Sequence, residues 1–125
     1  SSKNFSKNNI IKNNLSIIKE IKKVRFNYDF ILVSVISPLL STRKLAKKVF
    51  KNKYIEIYVF CKIKTLIKRD TKGLYKKAIK KEINNLIGFK SKIKYENSKY
   101  KIIKIDTDKL SVRDSVNKIL RLIHK

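Results

Sequence analysis

Apolar residues near the start of the chain recur at helical spacing. Ile10, Ile11, Leu15, Ile18 and Ile21 fall along one side of a helix. Ser6 stands where an N-cap belongs, and the pattern runs to about Phe26. Phe30 to Ile36 is then a nearly unbroken apolar run. A strand of this kind is expected to be buried on both faces, as in a parallel sheet. Ser37-Pro38 ends it, because proline has no N–H for a ladder. A short helix is predicted over Arg43 to Lys51, with Leu45, Ala46, Val49 and Phe50 on its apolar side. Ile55 to Phe60 predicts a second strand, and Lys62 to Arg69 a short helix. From Asp70 to about Lys99 the pattern loosens around Gly73 and Gly88. Ile102, Ile103 and Ile105 mark a third strand. Ser111 and Asp114 form a capping-box pattern before a last helix striped by Val112, Val116, Ile119, Leu120 and Ile123.

This alternation predicts an α/β domain with a parallel sheet and helices on both faces. Ligands in such sheets bind beyond the C-terminal strand ends. Here those ends are Ser37-Pro38, Phe60-Cys61 and Asp106-Thr107. The chain of 125 residues suffices for one small domain.

Charge changes this picture less than its size suggests. The net charge is +24, but of 33 basic residues only Arg25, Arg43, Arg69, Arg113 and Arg121 are arginine. Lys, Ile and Asn are all abundant and share AT-rich codons, so the charge reads as largely compositional. The lysines scatter through every element, whereas a nucleic-acid binder would cluster them with interleaved aromatics. A small basic nucleic-acid-binding protein is therefore the weakest of the readings, and an anionic ligand is the stronger expectation. Cys61 and His124 are each the sole residue of their kind, so no internal disulfide or zinc site is expected. No apolar run approaches the ~20 residues that span a bilayer. The Ser-, Lys- and Asn-rich start lacks the apolar segment of a secretion signal. A cytoplasmic protein without a membrane partner is expected.

Three segments resemble the adenylylsulfate kinase family. Ile36-Ser37-Pro38 with Arg43 and Ala46 looks like that family's F-I-S-P-Y-x-x-D-R-x-x-A stretch. Arg69-Asp-Thr-Lys-Gly-Leu-Tyr-Lys-Lys-Ala78, followed by Glu82, Ile83 and Gly88, is similar to its R-D-P-K-G-L-Y-K-K-A lid. Ile105-Asp-Thr-Asp-Lys-Leu-Ser-Val112 resembles its closing D-T-x-x-L-S-V. Phe5, Ser6 and Asn13 give a weaker fourth match to F-S-x-x-D-R-x-E-N.

The resemblance implies one partial kinase domain over residues 1–125, with a lid at about 70–99. It implies transfer of the ATP γ-phosphoryl group to the 3′-hydroxyl of adenosine 5′-phosphosulfate, in sulfate assimilation. ATP enters with Mg²⁺ as a co-substrate, and no bound prosthetic group or resident metal site is implied. On the phosphosulfate side the resemblance places Phe5, Asn13, Ile36, Ser37, Lys72, Lys76 and Lys77. On the ATP side it places Arg69 and Thr107. It also gives Ser37 the label of a phosphorylated catalytic intermediate, which in-line transfer does not require. A homodimer is the family's usual assembly.

The departures are equally legible. No G-x-x-x-x-G-K-[ST] occurs in the chain, and the family's D-G-D-N segment is also missing. Without that loop no backbone cradle holds the β- and γ-phosphates. The fold is thus expected to be incomplete, with the first strands and P-loop absent and supplied by a missing N-terminal segment. By analogy the missing strand lies between the 30–36 and 55–60 strands, so both are expected to carry unsatisfied apolar edges. Asn9, Ile10 and Lys12 replace the first motif's Asp, Arg and Glu, and Leu15 and Ser16 stand where arginines are expected. A truncated or degenerate kinase is the leading reading, and an inactive relic of one is the alternative.

Overall fold

The computed structural model describes residues 6–80 and 93–124. Helix α1 spans Lys7–Val24. Its start is set by Ser6, whose hydroxyl accepts the Asn9 amide at 3.3 Å, satisfying one of the orphan N–H groups of the first turn. Ile10, Asn14 and Ile18 are its buried face. Two of these are apolar at helical spacing, and the third is a polar residue with specific partners.

Residues 30–36 depart from expectation. They carry neither helix nor strand, and their side chains lie open, with Leu32 93% and Phe30 65% exposed. The physical reason is pairing. A strand forms only against a neighbour that takes its N–H and C=O groups, and the described residues place none beside this run.

Helix α2 follows at Leu40–Phe50, three residues earlier than the sequence suggests. No local side chain caps it. Glu96, far away in the chain, accepts the Leu40 amide at 2.8 Å, which puts a carboxylate at the positive end of the helix. Strand β1 is Ile57–Phe60 and strand β2 is Ile103–Asp106. They pair in parallel with Ile57 opposite Ile103 and Phe60 opposite Asp106. Ile105 is the centre of the packing at 1% exposure.

Between the strands lie α3 (Ile63–Arg69) and α4 (Leu74–Ile79). The second of these helices sits in the stretch whose pattern loosens, and it was not anticipated. Gly73 opens it in a left-handed conformation, φ 66°, that favours glycine. Asp70 then receives the Tyr75 and Lys76 amides on its two carboxylate oxygens, each at 3.0 Å. The cap thus comes from five residues upstream, outside the usual spacing. Helix α5, Val112–Ile123, is capped by Ser111 as predicted, the Asp114 amide donating to Ser111 Oγ at 3.1 Å. It packs on β2. The architecture is therefore α/β, with a parallel two-stranded sheet flanked by helices.

If residues 30–36 are an open apolar edge, Leu32→Ser is expected to lower binding of a hydrophobic dye by the 125-residue chain. Surface substitutions away from packed features change stability by no more than about 0.5 kcal/mol, so amide protection in β2 is expected to stay as it was. Lost protection in β2 would mean that Leu32 belongs to the packed core.

Candidate functional site

Ser37 sits at the end of the open run, followed by Pro38, which is almost completely buried. The Ser37 hydroxyl donates to Asn14 Oδ1 at 2.8 Å. Thr42 donates to the same oxygen at 3.0 Å. One amide carbonyl on α1 therefore gathers two hydroxyls from the turn and from α2. Asn14 is 5% exposed, and its Nδ2 is buried without a hydrogen-bond partner. Asn13, the residue singled out by the motif, is on the exposed side of α1. A helix turns about 100° per residue, so neighbours on it cannot share a face. It is Asn14, not Asn13, that reaches the Ser37 turn.

Behind this turn lies a buried pair of charges. Arg43 on α2 and Glu56, just before β1, have side chains only 5% and 7% exposed. Arg43 Nε stands 3.4 Å from Glu56 Oε1, a charge contact without hydrogen-bond geometry. The guanidinium spends its other nitrogens on carbonyls: Nη1 donates to Ser37 O at 2.6 Å, and Nη2 to Glu96 O. Its Cζ lies 4.5 Å from the centre of the Tyr95 ring, a cation–π contact. Glu56 is satisfied from three sides. Tyr54 and Tyr100 donate to Oε1 at 2.8 and 2.7 Å, and Ser98 donates to Oε2. Burial alone raises the Glu56 carboxyl pKa, but the three hydroxyl donors and Arg43 outweigh it and hold the group below its ordinary value. Burial and the bond to Glu56 push the Tyr54 phenol up, so it stays a donor.

A second cluster closes the C-terminal ends of β1 and β2. Thr107 donates its amide to Phe60 O at 2.9 Å, extending the ladder by one residue. Arg69, at the end of α3, spans Thr107 with two bonds of 2.9 Å, one to Oγ1 and one to the carbonyl. Cys61 Sγ is 3.9 Å from the same guanidinium. Asp108 caps α3 from a distance, taking the Lys62 amide at 2.7 Å and the Thr65 hydroxyl at 2.5 Å. Those two bonds hold its carboxyl below the ordinary aspartate range. Arg69 and Thr107, 38 residues apart, are thus brought together. An exposed planar cation at a strand end can stack on a base or fork onto a phosphate.

Lys72 and Lys76 are exposed on and before α4, and Lys77 is half-buried. Lys76 lines a shallow cavity of about 300 Å³ with Ile67, Asp70, Ile79 and Lys80. Ile36 is 53% exposed. Phe5 lies outside the described residues, as do Glu82, Ile83 and Gly88 of the expected lid. Glu56, Tyr95, Glu96 and Ser98 were not anticipated. A usable signal existed in Arg43 itself. In a chain whose cations are mostly lysine, an arginine marks a place where the fork is used.

The family described as adenylylsulphate kinase matches residues 2–106 of this chain. An adenylyl-sulfate kinase of Thermodesulfovibrio yellowstonii is 38% identical over 114 residues, covering 90% of this chain and 56% of that protein. One of Bacteroides thetaiotaomicron is 33% identical over 112 residues, 88% of this chain and 55% of that protein. A probable adenylyl-sulfate kinase of Pyrococcus abyssi is 32% identical over 117 residues, covering 94% and 66%. The chain therefore spans between about half and two thirds of the length of these relatives.

The Glu56 geometry has a pH consequence. A carboxyl whose folded pKa is depressed contributes stability that is complete above its unfolded value, near 4.5, and lost as pH falls through the folded one. The urea midpoint of the chain is expected to drop on acidification below that value. Glu56→Gln is expected to flatten the slope in this window, and an unchanged slope would contradict an ionised Glu56.

Proposed function

The chain belongs to the adenylylsulphate kinase family, and we propose that it supplies the substrate-binding part of such a kinase. The reaction proposed passes the γ-phosphoryl group of ATP to the 3′-hydroxyl of adenosine 5′-phosphosulfate, giving 3′-phosphoadenosine 5′-phosphosulfate and ADP, in sulfate assimilation. The observation that carries this reading is the gathering of family-matched residues in two clusters: Ser37-Pro38 at the end of the open run, held by Asn14 and Arg43, and Arg69 bound to Thr107 at the ends of β1 and β2. In phosphoryl transfer the protein contributes positioning and positive charge more than covalent chemistry.

In this reading the backbone of Ile36 and Ser37, with Phe5, holds the adenosine of the phosphosulfate, while Asn13, on the exposed side of α1, meets the ligand only from outside the turn that Asn14 sets. Lys72, Lys76 and Lys77 close from a lid at about 70–99 over its anionic groups. Arg69 and Thr107 face the ATP side. The Ser37 hydroxyl is engaged by Asn14, and its assigned role is positional, with transfer direct. The phosphate-holding loop is taken to come from outside these 125 residues, in the same polypeptide or another chain, and to cover the open 30–36 run. A second protomer is the other partner proposed. Mg²⁺ belongs with ATP as co-substrate. Among the described residues no three His, Cys, Asp or Glu side chains gather around a common point, so none is assigned to the metal. Among the described residues no helix is long and apolar enough to cross a membrane, and a cytoplasmic setting fits the proposed pathway.

The replaced first motif favours a second reading. Ile10, Leu15 and Ser16 stand where arginines are expected, and Asn9 and Lys12 where the motif has Asp and Glu; neither Ile nor Leu can bind an anion. An inactive descendant of the kinase would keep the turn and lose affinity. Isothermal titration of the chain with adenosine 5′-phosphosulfate, and with ATP–Mg²⁺, separates the two. The kinase reading expects saturable phosphosulfate binding that persists at raised salt. Heat that vanishes with salt, alike for any polyanion, would leave the inactive descendant.

A further inference from the structure

The strongest unassigned feature is the Arg43–Glu56 pair and what it joins. Three parts of the chain meet there that sequence separates widely. The first is the turn before α2, through Ser37 O on Arg43 Nη1 at 2.6 Å. The second is the lead into β1, through Glu56 itself. The third is the stretch 95–100 that returns from the expected lid region. Tyr95 covers the guanidinium, Glu96 O accepts from Nη2, and Ser98 and Tyr100 donate to Glu56. Two further bonds tie the third part to the first directly. The Glu96 amide donates to Pro38 O at 2.8 Å, and Glu96 Oε1 takes the Leu40 amide at 2.8 Å.

We propose that Arg43 and Glu56 are positioning residues, a buried ionic joint that fixes the 95–100 stretch against the Ser37–Pro38 turn and so sets where Ser37 stands. Two features argue for a joint over mere core filling. A buried ion pair is weak evidence for stability by itself, and this one is bonded on both sides to segments that sequence keeps apart. And the fork of Arg43 ends on two backbone carbonyls from separate segments, held by two nitrogens of one rigid plane that a lysine's single ammonium on a flexible stem does not reproduce. Movement of the 95–100 stretch therefore transmits to the Ser37 carbonyl through one rigid group. The consequence for substrate rests on the function proposed above, while the joint rests on geometry alone.

Arg43→Lys keeps the charge and removes the fork, so it is the primary test. Amide hydrogen exchange of the full 125-residue chain is the readout. The joint predicts that the Leu40 and Glu96 amides lose protection together, by about tenfold or more, while α1 and β2 keep theirs. Ser98→Ala removes one hydroxyl, which donates to Glu56 and accepts a longer bond from Arg43 Nη2 at 3.4 Å, and is expected to loosen the same two amides to a lesser degree, in a variant that folds even if Arg43→Lys does not. Unchanged protection at Leu40 and Glu96 in both variants would overturn the proposal. So would an even loss over the whole chain in both, since the pair would then act as a general stabiliser. Titration with adenosine 5′-phosphosulfate separates the layers. If the parent chain does not bind it, the functional reading fails and the exchange result still decides the joint. If the parent binds and the Arg43→Lys variant binds as tightly, the joint does not set Ser37.

Discussion

A guanidinium taken out of water must have its charge and its N–H groups answered within the protein, and Arg43 imposes that demand on everything around it. Leaving a buried charge without its partner costs about 3–5 kcal/mol, comparable to a large share of a small domain's stability. The answer is collected from all along the chain: Glu56 for the charge, the Ser37 and Glu96 carbonyls for the donors, and the Tyr95 ring for the face. Glu56 makes a demand of its own, met by Tyr54, Ser98 and Tyr100. The start of α2, the lead into β1 and the 95–100 stretch are fixed together as a result. The turn carrying Ser37 is held by the same pair that anchors the chain returning to β2.

The second cluster uses a different device. Thr107 continues the β1–β2 ladder by one bond past the last paired residues, and Arg69 grips it twice. This arginine is exposed, so its value is orientation more than stability. It is held at the strand ends, where open parallel sheets take their ligands. The two clusters are different in kind. One is buried and ordered by desolvated charge, and the other is open to solvent and oriented by backbone.

Part of the fold is written in signals that act over a few residues. Ser6 and Ser111 cap the helices they were expected to cap, because an N-cap is decided within three residues. The strands at Ile57–Phe60 and Ile103–Asp106 follow from runs of β-branched and aromatic residues. What depends on distant partners was not legible. Phe30 to Ile36 has every local mark of a buried strand, yet pairing is a property of neighbours, and none is described beside it. Helix α2 starts early because Glu96 answers Leu40 across 56 residues. Helix α4 exists because Asp70 folds back on it from outside the usual cap position. Matching a motif picks out Asn13, but helix phase turns Asn14 toward Ser37. The Arg43–Glu56 joint draws on residues whose spacing forms no pattern; the motif match and the choice of arginine in a lysine-rich chain mark Arg43, and nothing local marks its partner Glu56.

The proposed function requires an ordered recognition surface for adenosine 5′-phosphosulfate at the Ser37 turn, distinct from general attraction of anions to lysine. The most direct measurement is the two-dimensional amide NMR spectrum of isotopically labelled protein, titrated with that nucleotide at raised salt. The account predicts saturable shifts concentrated at Ile36, Ser37 and the first residues of α2, with the lysine-rich face of α1 little affected. Small shifts spread over the lysines, without saturation and abolished by salt, would contradict it.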